Sequence, residues 1–356
     1  MSINWKNWLN GSFLLIGIFG LYFILKEQSL KEILNTYKNA NITILILYIL
    51  AVLSILLLLN WRWNCILQSR KIYVPFRKLF IYRIIGISIN FLTPGPRVGG
   101  EPTQATMLTR HKIDFTEGLS TIMIDKIIDI TTSGVLFLIG LSLVGLKYSI
   151  AGKFGLILLI CGLIFIILIV LFYYRMLNSK HFFLKIFHML KIYNIKSKTL
   201  VKIERKLEEI EGMMIEFYKN NKKSFIKALT ISVLSWVAMF FEYKFAAQLL
   251  GYNIGVIEIF FIVSFVGMAM LFPIPMAIGV LEAGQISAFT LLGLPINAGI
   301  ALAFLVRAKD ILISIIGVLL LTFYGFHAPK VVKKKYISKA EQLDDGLKIK
   351  KVSKNK

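Results

Sequence analysis

Uninterrupted apolar runs dominate the chain. Stretches such as "ILILYILAVLSILLLLNW" (44–61) and "FGLILLICGLIFIILIVLFYY" (154–174) have the roughly 20 residues that a helix needs to cross a bilayer. The pattern predicts helices at 11–25, 42–61, 117–146, 154–174, 224–246 and 297–325. One such run fits the core of a large soluble protein; several in one chain do not. Two further apolar pieces, 79–93 and 256–272, each end in a proline–glycine break followed by a short second arm. The expectation is an all-α polytopic membrane protein with about six full spans plus two proline-broken re-entrant hairpins, or eight spans in all.

Composition agrees: 57% of the 356 residues are hydrophobic, and the mean hydropathy is +0.72. The run 11–25 is preceded only by Lys6 and followed by "KEQSLKEI" without a small-residue cleavage site, so it reads as a retained helix rather than a signal peptide. Cys65 and Cys161 lie in or beside apolar runs and read as packing residues, with no disulfide or metal spacing.

Charge changes the picture more. A net charge of +23 suggests nucleic acid in a soluble protein, but here the cations are segregated. One cluster fills 175–223, with twelve Lys and Arg against five glutamates; a second is Arg62, Arg70, Lys71, Arg77, Lys78 and Arg83; the tail 330–356 adds ten lysines. Segments 247–257 and 273–297 hold no Lys or Arg. By the positive-inside rule the three clusters and both termini are cytoplasmic and lie against anionic headgroups, while the two cation-free segments are external. No nucleic-acid partner is expected. Localisation is the cell membrane, with a single transmembrane domain at 1–329 and a basic cytoplasmic tail at 330–356. Within the linker 175–223, "KSKTLVKIERKLEEIEGMMIEFYKN" (196–220) reads as an amphipathic helix along the interface or a solvated helical linker.

The two breaks resemble one another. "LTPGPRVGGE" (92–101) and "LFPIPMAIGVLE" (271–282) both show Pro-x-Pro, then Gly, then Glu. "AVLSILLLLNW" and "ISVLSWVAMFFEY" precede them; "IMIDKIIDITTSGVL" and "LVRAKDILISIIGVL" follow. The repeat halves, about 42–146 and 224–325, are offset by roughly 180 residues and inverted on the predicted topology, as in many transporters. Pro94, Pro96, Pro273, Pro275 and Gly279 are the structural breaks, because proline removes a donor and glycine permits close approach. Irregular backbone at membrane depth belongs beside a wet cavity or inside protein. The free amides of the arm that follows suit a phosphate.

Ionisable residues in apolar context are the candidate site, because burying charge in a membrane is costly. Arg97, Glu101, Asp125, Lys126, Asp129, Glu282, Arg307, Lys309 and Asp310 meet that description, with Gly99 and Gly100 at the turn and Arg110 just beyond it. Asp125 and Asp129 share a helical face, as do Arg307 and Asp310. They are read either as headgroup contacts or as structural ion pairs between the repeats. His181, His188 and His327 carry no pattern that assigns them a role. No Walker loop, metal-ligand set or nucleophilic triad occurs in the sequence, so no enzyme activity, cofactor or metal is expected.

"INFLTPGPRVGGEPTQATMLTRHKI", "IMIDKIIDI", "FPIPMAIGVLEAGQISAFTLLGLP" and "LVRAKDILISIIG" together resemble the flippase-like membrane family. That family includes the N-terminal transmembrane region of lysylphosphatidylglycerol synthases. The resemblance covers about residues 10–325 and is most specific at 94–101, 108–110 and 279–284; where the family often has an arginine, this chain has Gln104. It implies lipid translocation without the aminoacyl-transferring domain; in a model where the two inverted halves form a groove, Arg97 and Lys309 contact phosphate. Glu101, Glu282, Asp125 and Asp129 then balance charge or bind an amine. The expected substrate is a membrane phospholipid or lipid-linked compound. Other readings are a non-catalytic partner in lipid-linked sugar or aminoacyl-lipid synthesis, or an ion-coupled solute transporter; a homo-oligomer or an enzyme partner fits either.

Overall fold

The structure, a computed structural model, describes residues 41–93, 99–148, 153–189, 198–269 and 279–325. The expected helix at 11–25, Pro94, Pro96, Arg97, Pro273, Pro275, His327 and the basic tail lie outside the described residues. Among those described there are eleven α-helices and one short 3-10 turn, and no strand. They are α1 (Ile42–Ser69), α2 (Phe76–Leu92), α3 (Gly100–Leu108), α4 (Phe115–Tyr148), α5 (Lys153–Leu177), α6 (Phe183–Met189), α7 (Lys198–Asn220), α8 (Lys222–Leu249), α9 (Val256–Ala269), α10 (Val280–Leu291) and α11 (Ile296–Gly325). Every long apolar run in this range is a helix, and both breaks separate helices as the sequence predicts.

The repeat is present in the element boundaries. Ile42 and Lys222, Phe76 and Val256, and Gly100 and Val280 open equivalent helices 180 residues apart; Phe115 and Ile296 are 181 apart. The first helices of the two halves, α1 and α8, pack along their length. Cys65 lies 3.9 Å from the Ser224 carbonyl, Lys227 sits over the Trp61 ring, and Tyr48 shares a core cluster with Trp236 and Tyr243. As the number rises on α1 it falls on α8, so equivalent helices run antiparallel and the halves are inverted.

The halves then interlock. The second helix of each half packs on the last helix of the other. Ser88 of α2 donates to the Ile313 carbonyl of α11 at 3.1 Å, and Lys78 reaches Tyr324 at 3.5 Å. Equivalently, Gly140 of α4 meets Phe260 and Ser264 of α9.

The first broken element is a hairpin. Tyr82 on α2 is 3.1 Å from His111 beyond α3, Gly86 abuts Gln104, and Asn90 bonds the first residues of α3. α2, with 17 residues, is about 25 Å long and α3, with 9, about 14 Å. The two legs are unequal in length, and their feet lie together at one end of the bundle. That end gathers Arg70, Lys71, Lys78, Arg110 and Lys112. Burial, with Lys78 and Arg110 close by, holds His111 below the usual histidine range.

One expectation is corrected. The amphipathic helix 196–220 is neither laid on a lipid surface nor free in solvent over its C-terminal half. In α7 Met214, Phe217 and Tyr218 are buried against Ile66, Ile124, Ile128, Phe172 and Met176. The face that reads as membrane-binding is covered by the feet of α1, α4 and α5, because burying it in protein satisfies the same apolar stripe.

Candidate functional site

Each hairpin tip delivers a glutamate at the start of its return leg. In the first half Asn90 braces the tip. Its Oδ1 accepts the Gly100 amide at 2.7 Å and its Nδ2 donates to Glu101 Oε1 at 3.1 Å. Lys126 of α4 donates to the same oxygen at 2.9 Å. Glu101 Oε2 is buried with no hydrogen-bond partner among the described residues. A Cβ on Gly100 would strike the Gly86 carbonyl oxygen and Asn90, so only glycine lets the two legs close here. A Cβ on Gly99 would meet Thr93.

The second tip repeats the plan with different parts. Gly279 opens α10 at φ +78, a left-handed value that glycine adopts without strain. Its amide donates to Glu282 Oε2 at 2.8 Å. Arg307 of α11 grips both carboxylate oxygens of Glu282, at 2.8 and 3.2 Å. The spacing is the informative part: Glu101 to Lys126 and Glu282 to Arg307 are both 25 residues. The glutamates are 181 apart, and so are the cations.

Beside each tip lies a second set of buried charges. Arg62 of α1 donates to Asp125 Oδ1 at 2.7 Å, to Asp129 Oδ1 at 2.8 Å and to Ser232 of α8 at 2.8 Å. Arg83 of α2 takes the other Asp125 oxygen at 2.9 Å, donates to the Leu59 carbonyl at 2.8 Å and lies over the Trp63 ring. In the second half Lys309 donates to Glu242 of α8 at 2.6 Å and approaches Asp310 at 3.6 Å. Arg62 sits level with Ser232, ten residues from Glu242 on α8, so the two layers are about 15 Å apart along the bundle.

Sequence reasoning named both partners of each tip pair but not the pairing. Glu101, Lys126, Glu282 and Arg307 join at the tips, while Asp125, Asp129, Lys309 and Asp310 join the flanking layers. Arg110 stands apart in the 3-10 turn Thr109–His111 at the basic end. Gly99, Gly100 and Gly279 lie at the tips. The assignment of Arg62 and Arg83 to an aqueous basic cluster is corrected: both are buried in the bundle, Arg62 with a side chain 2% exposed. Counting charges by segment cannot tell which helical face a cation occupies. Also missed were Glu242, Asn90, Ser232 and Trp63. Glu242 carries the same signal that marks Glu282, an acid inside an apolar helix. The paired Asp125 and Asp129 signal a buried cation without saying which helix supplies it.

The tips differ in access. The Lys126 side chain is 42% exposed and that of Asp129 41%, whereas Arg307 is only 11% exposed. The first half thus presents one cation and one anion, three residues apart on α4, more openly than the second half presents Arg307. Among the described residues no group of His, Cys, Asp and Glu is placed to hold a metal ion.

Comparison with known proteins fits this geometry. Residues 12–317 match the family described as the lysylphosphatidylglycerol synthase TM region. A UPF0104 membrane protein of Pyrococcus horikoshii is 24% identical over 315 residues, covering 85% of this chain and 91% of the relative. UPF0104 membrane proteins of Methanothermobacter thermautotrophicus and Methanocaldococcus jannaschii are each 23% identical, over 326 and 334 residues, covering 88% and 90% of this chain and 94% of each relative. An all-helical, inverted-repeat membrane protein matched over most of its length in this way belongs to the family of the lysylphosphatidylglycerol synthase transmembrane region.

Proposed function

We propose that the chain moves a phosphate-bearing lipid between leaflets, passing the headgroup along the polar track between the two hairpin tips while the acyl chains stay in lipid. The supporting observation is the pair of equivalent carboxylate–cation tips in inverted halves, one accessible at Lys126 and the other closed over Arg307. Inverted repeats that hold the same element in two conditions suit a cycle in which the halves exchange roles. Lys126 would meet the headgroup phosphate. The unpartnered Oε2 of Glu101 would accept a hydrogen bond from the passing group, replacing one that water gave it outside. Both termini and the basic end lie on the cytoplasmic side in this reading.

A specific feature favours ion coupling as a second reading. Among the described residues the second-half cluster holds two cations, Arg307 and Lys309, against three carboxylates, Glu242, Glu282 and Asp310.

The test is headgroup-labelled phospholipid in proteoliposomes, with bleaching of outer-leaflet label as readout. Wild type should move label in a headgroup-dependent way, and a Glu101→Gln, Glu282→Gln double variant of equal folded yield should lose that movement. Absence of movement for every lipid class by folded wild type would refute translocation. Movement only under an imposed ion gradient would establish coupling.

A further inference from the structure

The turn after α5 builds a cavity that the translocation pathway does not use. It is a wide-open depression of about 500 Å³ lined by Arg175, Lys180, His181, Lys185 and His188, with Leu184 and Met189 beside them. Its walls are held by buried groups rather than by the lysines themselves. Arg175 donates twice to the His181 carbonyl, at 3.0 and 2.7 Å, and the Lys180 amide returns to the Arg175 carbonyl at 2.8 Å. Glu211 of α7, with no solvent exposure, accepts the amides of Phe182, Phe183 and Leu184 at 2.6, 2.6 and 3.0 Å. Beneath the turn Phe172, Phe182, Phe183 and Tyr218 pack edge to face.

That scaffold spends the nearby acids elsewhere. The Glu211 oxygens are committed to backbone amides, though one also lies 3.2 Å from His181 Nδ1, and Glu204 faces His188 at 2.8 Å. Neither Lys180 nor Lys185 has a carboxylate within ion-pair distance among the described residues. The depression therefore holds two lysines that have no carboxylate partner among the described residues, next to Arg175. Met189 of its lining is exposed, and so are the apolar Tyr174, Leu177 and Ile186, which neighbour Arg175 and Lys185 in sequence.

We propose that this cavity binds the phosphate of an anionic phospholipid, with Lys180 and Lys185 as the principal contacts and the acyl chains lying along Tyr174, Leu177, Ile186 and Met189. Cations alone would suit free phosphate equally; the exposed apolar side chains are what favours a lipid. The site is separate from the hairpin tips, and binding here does not depend on the chain moving lipid.

The experiment uses the full chain in detergent. Short-chain phosphatidylglycerol, phosphatidylcholine of the same chain length and inorganic phosphate are titrated in turn, with retained lipid read by native mass spectrometry and protection by thermal unfolding. Phosphatidylglycerol should bind to wild type and lose roughly tenfold or more in affinity in a Lys180→Gln, Lys185→Gln variant. A Lys202→Gln, Lys206→Gln variant, with the same charge change on the exposed face of α7, should bind as wild type does. Equal loss in both variants would mean a diffuse basic surface, and no loss in either would mean that the cavity is not the site; each overturns the proposal. Equal protection by inorganic phosphate, or phosphatidylcholine binding as well as phosphatidylglycerol, would overturn the assignment to an anionic lipid.

Discussion

Superposing the two halves by residue number separates what the fold requires from what the chemistry requires. Arg62 and Glu242 are 180 residues apart, and so are their partners Asp129 and Lys309. The same two helices are bridged at the same level in each half, yet the sign of the bridge is reversed. A buried ion pair used only to fix register can be inverted without loss, because its field is internal. The tips behave differently. Glu101 and Glu282 are both acids, and Lys126 and Arg307 are both cations. The position where the two halves agree in sign is the one where an outside group is expected to bind.

The comparison predicts unequal damage when a bridge is cut. Asp125→Asn leaves Arg62 and Arg83 buried with only the more exposed Asp129 to share, so it should cost about 3–5 kcal/mol and most of the folded yield. Glu242→Gln leaves Lys309 beside Asp310 at 3.6 Å, and should cost about 1–2 kcal/mol. Thermal unfolding in detergent, with size-exclusion profiles for yield, measures both. If the two substitutions cost the same, the first-half cluster is no more cooperative than the second and the asymmetry drawn above fails.

A smaller difference lies where the halves interlock, one glycine at each crossing. A Cβ on Gly317 would strike Ser88 and come within 2.8 Å of the Ile84 carbonyl, which is backbone and cannot turn aside. The atoms nearest a Cβ on Gly140 belong to the Phe260 ring and Ser264 Oγ, which are side-chain rather than backbone atoms. Gly317→Ala should therefore cost about 2–3 kcal/mol and Gly140→Ala about 1 kcal/mol, by the same unfolding measurement. A reversed order would mean that α9 is the more tightly seated helix.

Much of this was legible in the sequence, for reasons that are physical. Helix length and the recurring Pro-x-Pro, Gly and Glu punctuation come from local rules of backbone and bilayer, so the repeat and its offset could be read directly. The tip residues could be read as a set because charge in apolar context is rare. Their pairing could not, since Glu101 meets Lys126 only when α2 and α3 fold back on α4. Arg62 and Arg83 were hidden by company: they sit among Arg70, Lys71, Arg77 and Lys78, and segment counting gives all six one explanation. The spacing of 25 residues, common to both halves, is the sequence signal that matches each tip acid to its cation.

The smallest predicted effect concerns backbone rather than charge. Equivalent turns in the two halves enter the left-handed region: Lys71 at φ +59 matches Gly251 at +81, and Lys112 at φ +63 matches Gly293 at +68. The bonds correspond too, Ile72 to Leu67 matching Tyr252 to Ala247, and Lys112 to Thr109 matching Gly293 to Thr290. A lysine there bears about 1–2 kcal/mol of strain that glycine avoids, offset by the 0.5–1 kcal/mol that glycine loses in chain entropy. Of these four turns, lysine occupies the two at the basic end and glycine the two at the opposite end. The balance is intelligible if positive charge at the basic end helps orient the chain during insertion, which strain in the folded state does not oppose. Lys112→Gly should then raise stability by about 0.5–1 kcal/mol while weakening orientation. Gly293→Lys should do the opposite for stability, and it places a cation at the end opposite the basic one. Unfolding midpoints with cysteine-accessibility mapping of each end separate the two effects. A fall in stability for Lys112→Gly would mean that the lysine side chain makes a contact worth more than its strain, and the two turns would differ in packing rather than in topology.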